Sequence, residues 1–220
     1  MSVVLAYKNF AANRNISHIG LGVAAINTSK VLRREGIKAN VWAILNADDL
    51  RSKLNVAPAA HVIIAAPWIP TAELQALSTD FPDTQFAVNC HSNVGFLQAD
   101  RHGVKLMREV MELELGTSNV HLAGNSRRFC HWIRSAFGSP CAYLPNLYWL
   151  EDCGVRPMPW SGGTLRIGAF GATRTLKNLM SAAGAALEIA RHLRAPLEFW
   201  LSGGRTEGGG EFVLGAVERC

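Results

Sequence analysis

Short apolar runs alternate with helix-period segments along most of this chain, and that alternation restricts the fold more than any single motif. Apolar runs over 3–7, 39–45, 61–66, 85–90, 119–123 and 141–144 read as six strands. Between them, 22–35, 48–54, 71–77, 104–115 and 126–137 read as helices, with a polar loop over 8–19. Strands joined through helices must run parallel, because a parallel pair needs a crossover rather than a tight turn. The expected architecture is therefore α/β, a Rossmann-like, doubly wound parallel sheet. Gly36 is expected to stop the first helix and Ser126 to cap the fifth.

Residues 151–163 interrupt the pattern with Gly154, Pro157, Pro159, Gly162 and Gly163, a linker composition. Alternation then resumes with a strand over 165–170, a long helix over 176–193, a strand over 197–201, a glycine-rich loop over 202–210 and a helix from 211. The expected organisation is an N-terminal Rossmann-like domain over 1–150, a linker over 151–163 and a partial second Rossmann-like domain over 164–220. Two strands alone leave a sheet edge and an apolar face open, so self-association is expected.

Hydrophobic residues make up 49% of the chain and charged residues 18%, which excludes a disordered protein. No apolar stretch approaches the roughly 18 to 20 residues of a spanning helix, so no transmembrane segment is expected. Nor does the start of the chain have the basic n-region of a signal peptide. Cys90, Cys130, Cys141, Cys153 and Cys220 have no repeating spacing, and neither CxxC nor HExxH occurs. Neither a disulfide framework nor a metal site is suggested, and a reducing, cytoplasmic setting is expected. The net charge of +5 comes from scattered basic residues. It suits anionic small molecules and does not suggest nucleic acid.

Open parallel sheets bind ligands at the carboxyl ends of their strands. After the first strand, Gly20-x-Gly22-x-x-Ala25 formally matches a dinucleotide fingerprint. Its glycines come a dozen residues too late, however, and Asn46 stands where the ribose-binding acid is needed, which argues against a nicotinamide oxidoreductase. Gly20 and Gly22 either offer backbone N–H groups to an anion or sugar hydroxyl, or merely allow a close helix approach. After the fourth strand come His91, Ser92 and Asn93. A His and an Asn there can hydrogen-bond a polyol or assist proton movement, and the His can equally be structural. Asn146 follows Leu144-Pro145 on the way to the linker.

The sharpest signal is Gly168-Ala169-Phe170-Gly171-Ala172-Thr173-Arg174-Thr175-Leu176-Lys177-Asn178. A strand enters a glycine-bearing loop, and Arg174 and Lys177 are expected at the head of the long helix. Cations there oppose the helix dipole, at a cost of a few tenths of a kcal/mol, unless an anion reverses the sign. The GxxxxGK[ST] spacing of a P-loop is absent.

With Leu144-Pro145-Asn146 before the linker and the strand, glycine, basic loop and helix of 167–178 after it, the chain resembles a GT-B glycosyltransferase of the large family-four type, in its bacterial and phage-like form. That resemblance implies two Rossmann-like domains across a cleft and transfer of a sugar from a nucleotide-sugar donor to a glycan or lipid-linked acceptor. It implies that Arg174, Lys177 and Gly171 bind the donor diphosphate. His91 would serve in catalysis, and Gly20, Gly22, Asn93 and Asn146 would line the acceptor side. Neither a metal nor a resident cofactor is implied, the nucleotide-sugar being a co-substrate. Two departures stand: the family's arginine directly follows its glycine, whereas Ala172 does so here, and the family's paired-glutamate segment has no counterpart before Cys220. The alternative expectation is a non-catalytic Rossmann-like module that binds a nucleotide, a polyol or a protein partner.

Overall fold

The computed structural model describes residues 2–9, 19–92, 101–149, 159–171, 173–202, 204, 206 and 209–219. Its contacts divide the chain into two units, Met1–Glu151 and Asp152–Cys220. In the first, the order is β1 (Ser2–Lys8), α1 (Ile19–Arg34), β2 (Lys38–Ile44), α2 (Ala47–Val56), β3 (His61–Ala65), α3 (Thr71–Asp80), β4 (Gln85–Cys90), α4 (Arg101–Gly116), β5 (Val120–Gly124), α5 (Arg127–Phe137) and β6 (Ala142–Tyr143). The strands pair in parallel in the order β2-β1-β3-β4-β5-β6. This is a Rossmann-like α/β sheet. The winding reverses between β1 and β3, so the sheet's switch point lies there.

The strands are apolar on both faces because both are covered, one far more heavily than the other. Val4, Ala6, Val62, Ile64, Phe86, Val88 and Leu122 face a core closed by residues of α2, α3, α4 and α5, among them Leu50, Leu74, Met107 and Phe129. Leu5 stands opposite Ile63, and Ala65 opposite Asn89, on the other face, where α1 packs over β1 and β2. Local signals hold the helix ends. Ser126 Oγ accepts from Phe129 N at 3.1 Å, and Gly36, at φ +75°, lies just past α1. Asn46 Oδ1 accepts from Asp49 N at 2.9 Å while the Asp49 carboxylate accepts from Leu45 N at 3.0 Å, a reciprocal cap. The residue that replaces a ribose-binding acid thus starts a helix.

In the second unit, β7 (Leu165–Ala169) and β8 (Leu197–Leu201) pair in parallel, with α6 (Leu179–Leu193) and α7 (Gly210–Val217). Leu179, Ala183 and Val217 form its small core with Ala169, Phe199, Leu201 and Val213. No helix among the described residues is long and apolar enough to cross a membrane.

Three helix starts differ by three residues from the sequence expectation, among them α4, which begins at Arg101 rather than at 104. Helix α1 begins at Ile19 rather than at Gly22, so Gly20 already lies in its first turn. The helix expected from 176 begins at Leu179. Thr175–Lys177 forms a separate 3-10 turn, and Asn178, at φ +57°, breaks the continuity. Asparagine tolerates that left-handed conformation better than most residues.

Candidate functional site

At the carboxyl ends of β1, β3 and β4, beneath α1, lies a cavity of about 140 Å³. Leu5 and Ile63 form its strand side, Ala25 and Thr28 its helix side, and Asn89, His91 and the segment 144–147 its rim. It occupies the switch point of the sheet, where open α/β folds hold their ligands. No Asp, Glu, Lys or Arg is among its described lining residues.

The segment after β6 crosses this site as a strap with several ties. Leu144 N donates to Gly124 O at 3.0 Å, and Leu147 N donates to Thr28 Oγ1 at 3.1 Å. The Arg34 guanidinium stacks on the Trp149 ring at 3.6 Å. Asn89 adds a further tie, its Nδ2 donating to Leu144 O at 3.1 Å. Only 5% of Asn89 is exposed, and its Oδ1 has no hydrogen-bond partner among the described residues. Leaving a buried acceptor unpaired costs on the order of 1–3 kcal/mol.

Burial also governs His91, pushing its imidazole down to about 4 and keeping it neutral at pH 7. Asn125 Nδ2 lies 3.4 Å from His91 Nδ1. With that amide donating, the ring proton sits on Nε2, and the ring offers a donor. Beside these groups, Ala66 takes a left-handed φ of +73° just past β3, and its N–H donates to Asn89 O at 2.8 Å. A non-glycine residue there stores strain, as positions next to ligand sites often do.

Of the residues singled out from sequence, His91 and Asn146 line the cavity. Gly22 packs against a ring instead, since a Cβ there would stand 3.1 Å from Tyr7. Gly20 is exposed, with open space around it. Asn93 lies outside the described residues. Asn89 was not singled out, and its signal was an amide placed after the apolar run 86–88 of its strand. Cys90, Cys130 and Cys141 are free and buried, and burial raises the Cys90 thiol to about 11, where it is no nucleophile at pH 7.

The second unit has its own group of candidates. Gly171, at φ +127°, Thr173 and Lys177 line a depression of about 70 Å³. Lys177 N donates to Arg174 O at 3.0 Å, so both cations belong to one turn, ahead of α6 rather than on its first turn. Thr173 Oγ1 donates to Ser202 O at 3.2 Å, and Gly171 N donates to Ser202 Oγ at 3.4 Å. Helix α7 starts hard against this loop, since a Cβ on Gly210 would run into Thr173 O. The basic turn, the end of β8 and the start of α7 therefore converge.

No family model matches this chain, and no curated protein matches it.

Proposed function

We propose that the protein is a nucleotide-sugar-dependent glycosyltransferase, with an acceptor hydroxyl in the cavity under α1 and the donor diphosphate on the basic turn around Arg174 and Lys177. The supporting observation is the chemical contrast between the units: a cavity with hydroxyl-matching groups and no Asp, Glu, Lys or Arg in its described lining in one, and a cation-bearing loop in the other. In the reaction the acceptor oxygen bonds to the anomeric carbon of the sugar as the bond from that carbon to the diphosphate oxygen breaks. The proton of the acceptor hydroxyl passes to the oxygen of the leaving diphosphate, on which charge grows as its bond to the sugar breaks. Fixed cations aimed at that charge lower the barrier electrostatically. Backbone N–H groups at the start of α7 add donors for the same anion. His91 meets the acceptor hydroxyl as a neutral imidazole, and Asn146 adds a polar group on that side.

Calorimetric titration of the full chain with UDP, GDP and their sugars, repeated on Arg174→Ala/Lys177→Ala, tests the reading. The expected result is binding by the parent chain that weakens at least tenfold in the double variant. Absence of binding to every nucleotide by a folded sample refutes it, and leaves a module that binds a small neutral molecule.

A further inference from the structure

We propose that the cavity under α1 selects a compact, uncharged alcohol: an apolar body about the size of one six-membered ring, carrying a hydroxyl that donates to Asn89 Oδ1. The idea that this alcohol is the acceptor rests on the function proposed above, whereas its chemistry rests on the cavity alone.

Size sets the first limit. A dry protein cavity near 150 Å³ holds one benzene molecule, and this one is about 140 Å³. Leu5, Ile63 and Ala25 present hydrocarbon to the ligand's body. Charge sets the second limit, because an anion or ammonium ion would lose its hydration with no opposite charge in the described lining. The third limit is polar matching. Asn89 Oδ1 is a buried, unpaired acceptor on a residue that is only 5% exposed. A purely apolar guest leaves it unpaired, and one hydroxyl satisfies it, with His91 beside it as the neutral partner for the hydroxyl oxygen. A free hexose sets hydroxyls against the hydrocarbon of Leu5, Ile63 and Ala25, and each unmatched one adds a desolvation cost. The acceptor class thereby narrows from glycans to alcohols with an apolar body. Asn89 is the specificity-determining residue, and it also ties the strap through Leu144.

The test uses the full chain and methyl-detected NMR titrations with benzyl alcohol, toluene, benzoate and glucose. Benzyl alcohol is expected to bind saturably and shift the Ala65 and Leu144 methyls, while benzoate and glucose leave them unmoved. In Asn89→Leu, the preference for benzyl alcohol over toluene is expected to fall at least tenfold. Ala25→Leu, which fills the cavity and leaves Asn89 in place, is expected to abolish binding of both. Tighter binding of benzoate or glucose than of benzyl alcohol overturns the proposal. So does an unchanged preference in Asn89→Leu, or binding that survives Ala25→Leu. None of these titrations involves a nucleotide. Failure of the nucleotide titration therefore removes the transferase reading and leaves the ligand class standing, and failure here does the reverse.

Discussion

At His91 burial changes how the ring titrates, and replacing it yields a pH-dependent stability that can be calculated beforehand. In the folded chain its imidazole titrates at about 4 because the ring is largely withdrawn from water. In the unfolded chain a histidine titrates near the ordinary ~6.5. The folded value is the lower one, so between the two the unfolded ensemble holds more protons and acidification favours it. Stability is complete above about pH 6.5 and is lost as the pH falls toward 4. The loss saturates near 3 kcal/mol and amounts to about 2 kcal/mol between pH 7 and pH 5. His91→Gln keeps a polar side chain of similar reach and removes the titration. Urea unfolding of both chains at the two pH values, followed through the NMR amide signals of β4 and β5, reports on the N-terminal unit alone. The parent chain is expected to lose about 2 kcal/mol more than the variant on acidification. Carboxylates common to both chains cancel in the difference. They include Asp49, whose carboxyl is held below its ordinary range chiefly by its hydrogen bond from Lys53. Equal losses in the two chains would show that the ring is solvated in the folded state and would refute the argument.

Two backbone substitutions probe how closely the site's elements fit. Ala66→Gly removes a Cβ from a left-handed position that costs an ordinary residue about 1–2 kcal/mol, against 0.5–1 kcal/mol of added chain entropy. Urea unfolding should therefore show a gain of roughly 0.5 kcal/mol, and a loss would mean that Ala66 is not strained. Gly124→Ala drives a methyl group into the Phe129 ring under the start of α5, so a loss of about 1–3 kcal/mol is expected by the same assay.

Much of the first unit was legible because its strands carry buried residues on both faces and so stand out as apolar runs between polar flanks. The expected limits 85–90 and 197–201 coincide with β4 and β8. Helix α1 was harder to read, since Gly20 and Gly22 weaken the helical pattern at its start. The reason for a glycine at 22 lies in the Tyr7 ring, on a neighbouring element. Asn178 likewise ends one turn and precedes α6 through a backbone angle that no periodicity encodes. At the candidate site, His91 and Asn146 were visible as polar residues past strand ends. Asn89 was not, because its character depends on a partner 55 residues away that takes its amide N–H and leaves its oxygen bare.

Asn119 supplies the comparison that gives that bare oxygen its meaning. It is the same residue type, 3% exposed against 5% for Asn89. Its Nδ2 donates to Ser78 O and Phe81 O at 3.2 Å and to Thr84 O at 3.1 Å, and its Oδ1 accepts from the Ser78 hydroxyl. A buried asparagine that serves only the fold is thus fully satisfied in this chain, by the end of α3 and the turn that follows it. Among the described residues, the buried side-chain polar atoms without a partner are Asn89 Oδ1 and Ser139 Oγ, and of these only Asn89 lines the cavity at the switch point. Ala66 in its left-handed conformation and His91 held neutral lie beside it, at the ends of β3 and β4. Three local costs at one pair of strand ends, in a sheet that elsewhere follows its sequence pattern, are what a pre-formed binding site requires of its scaffold. A ligand hydroxyl donating to Asn89 Oδ1 would remove the first of them.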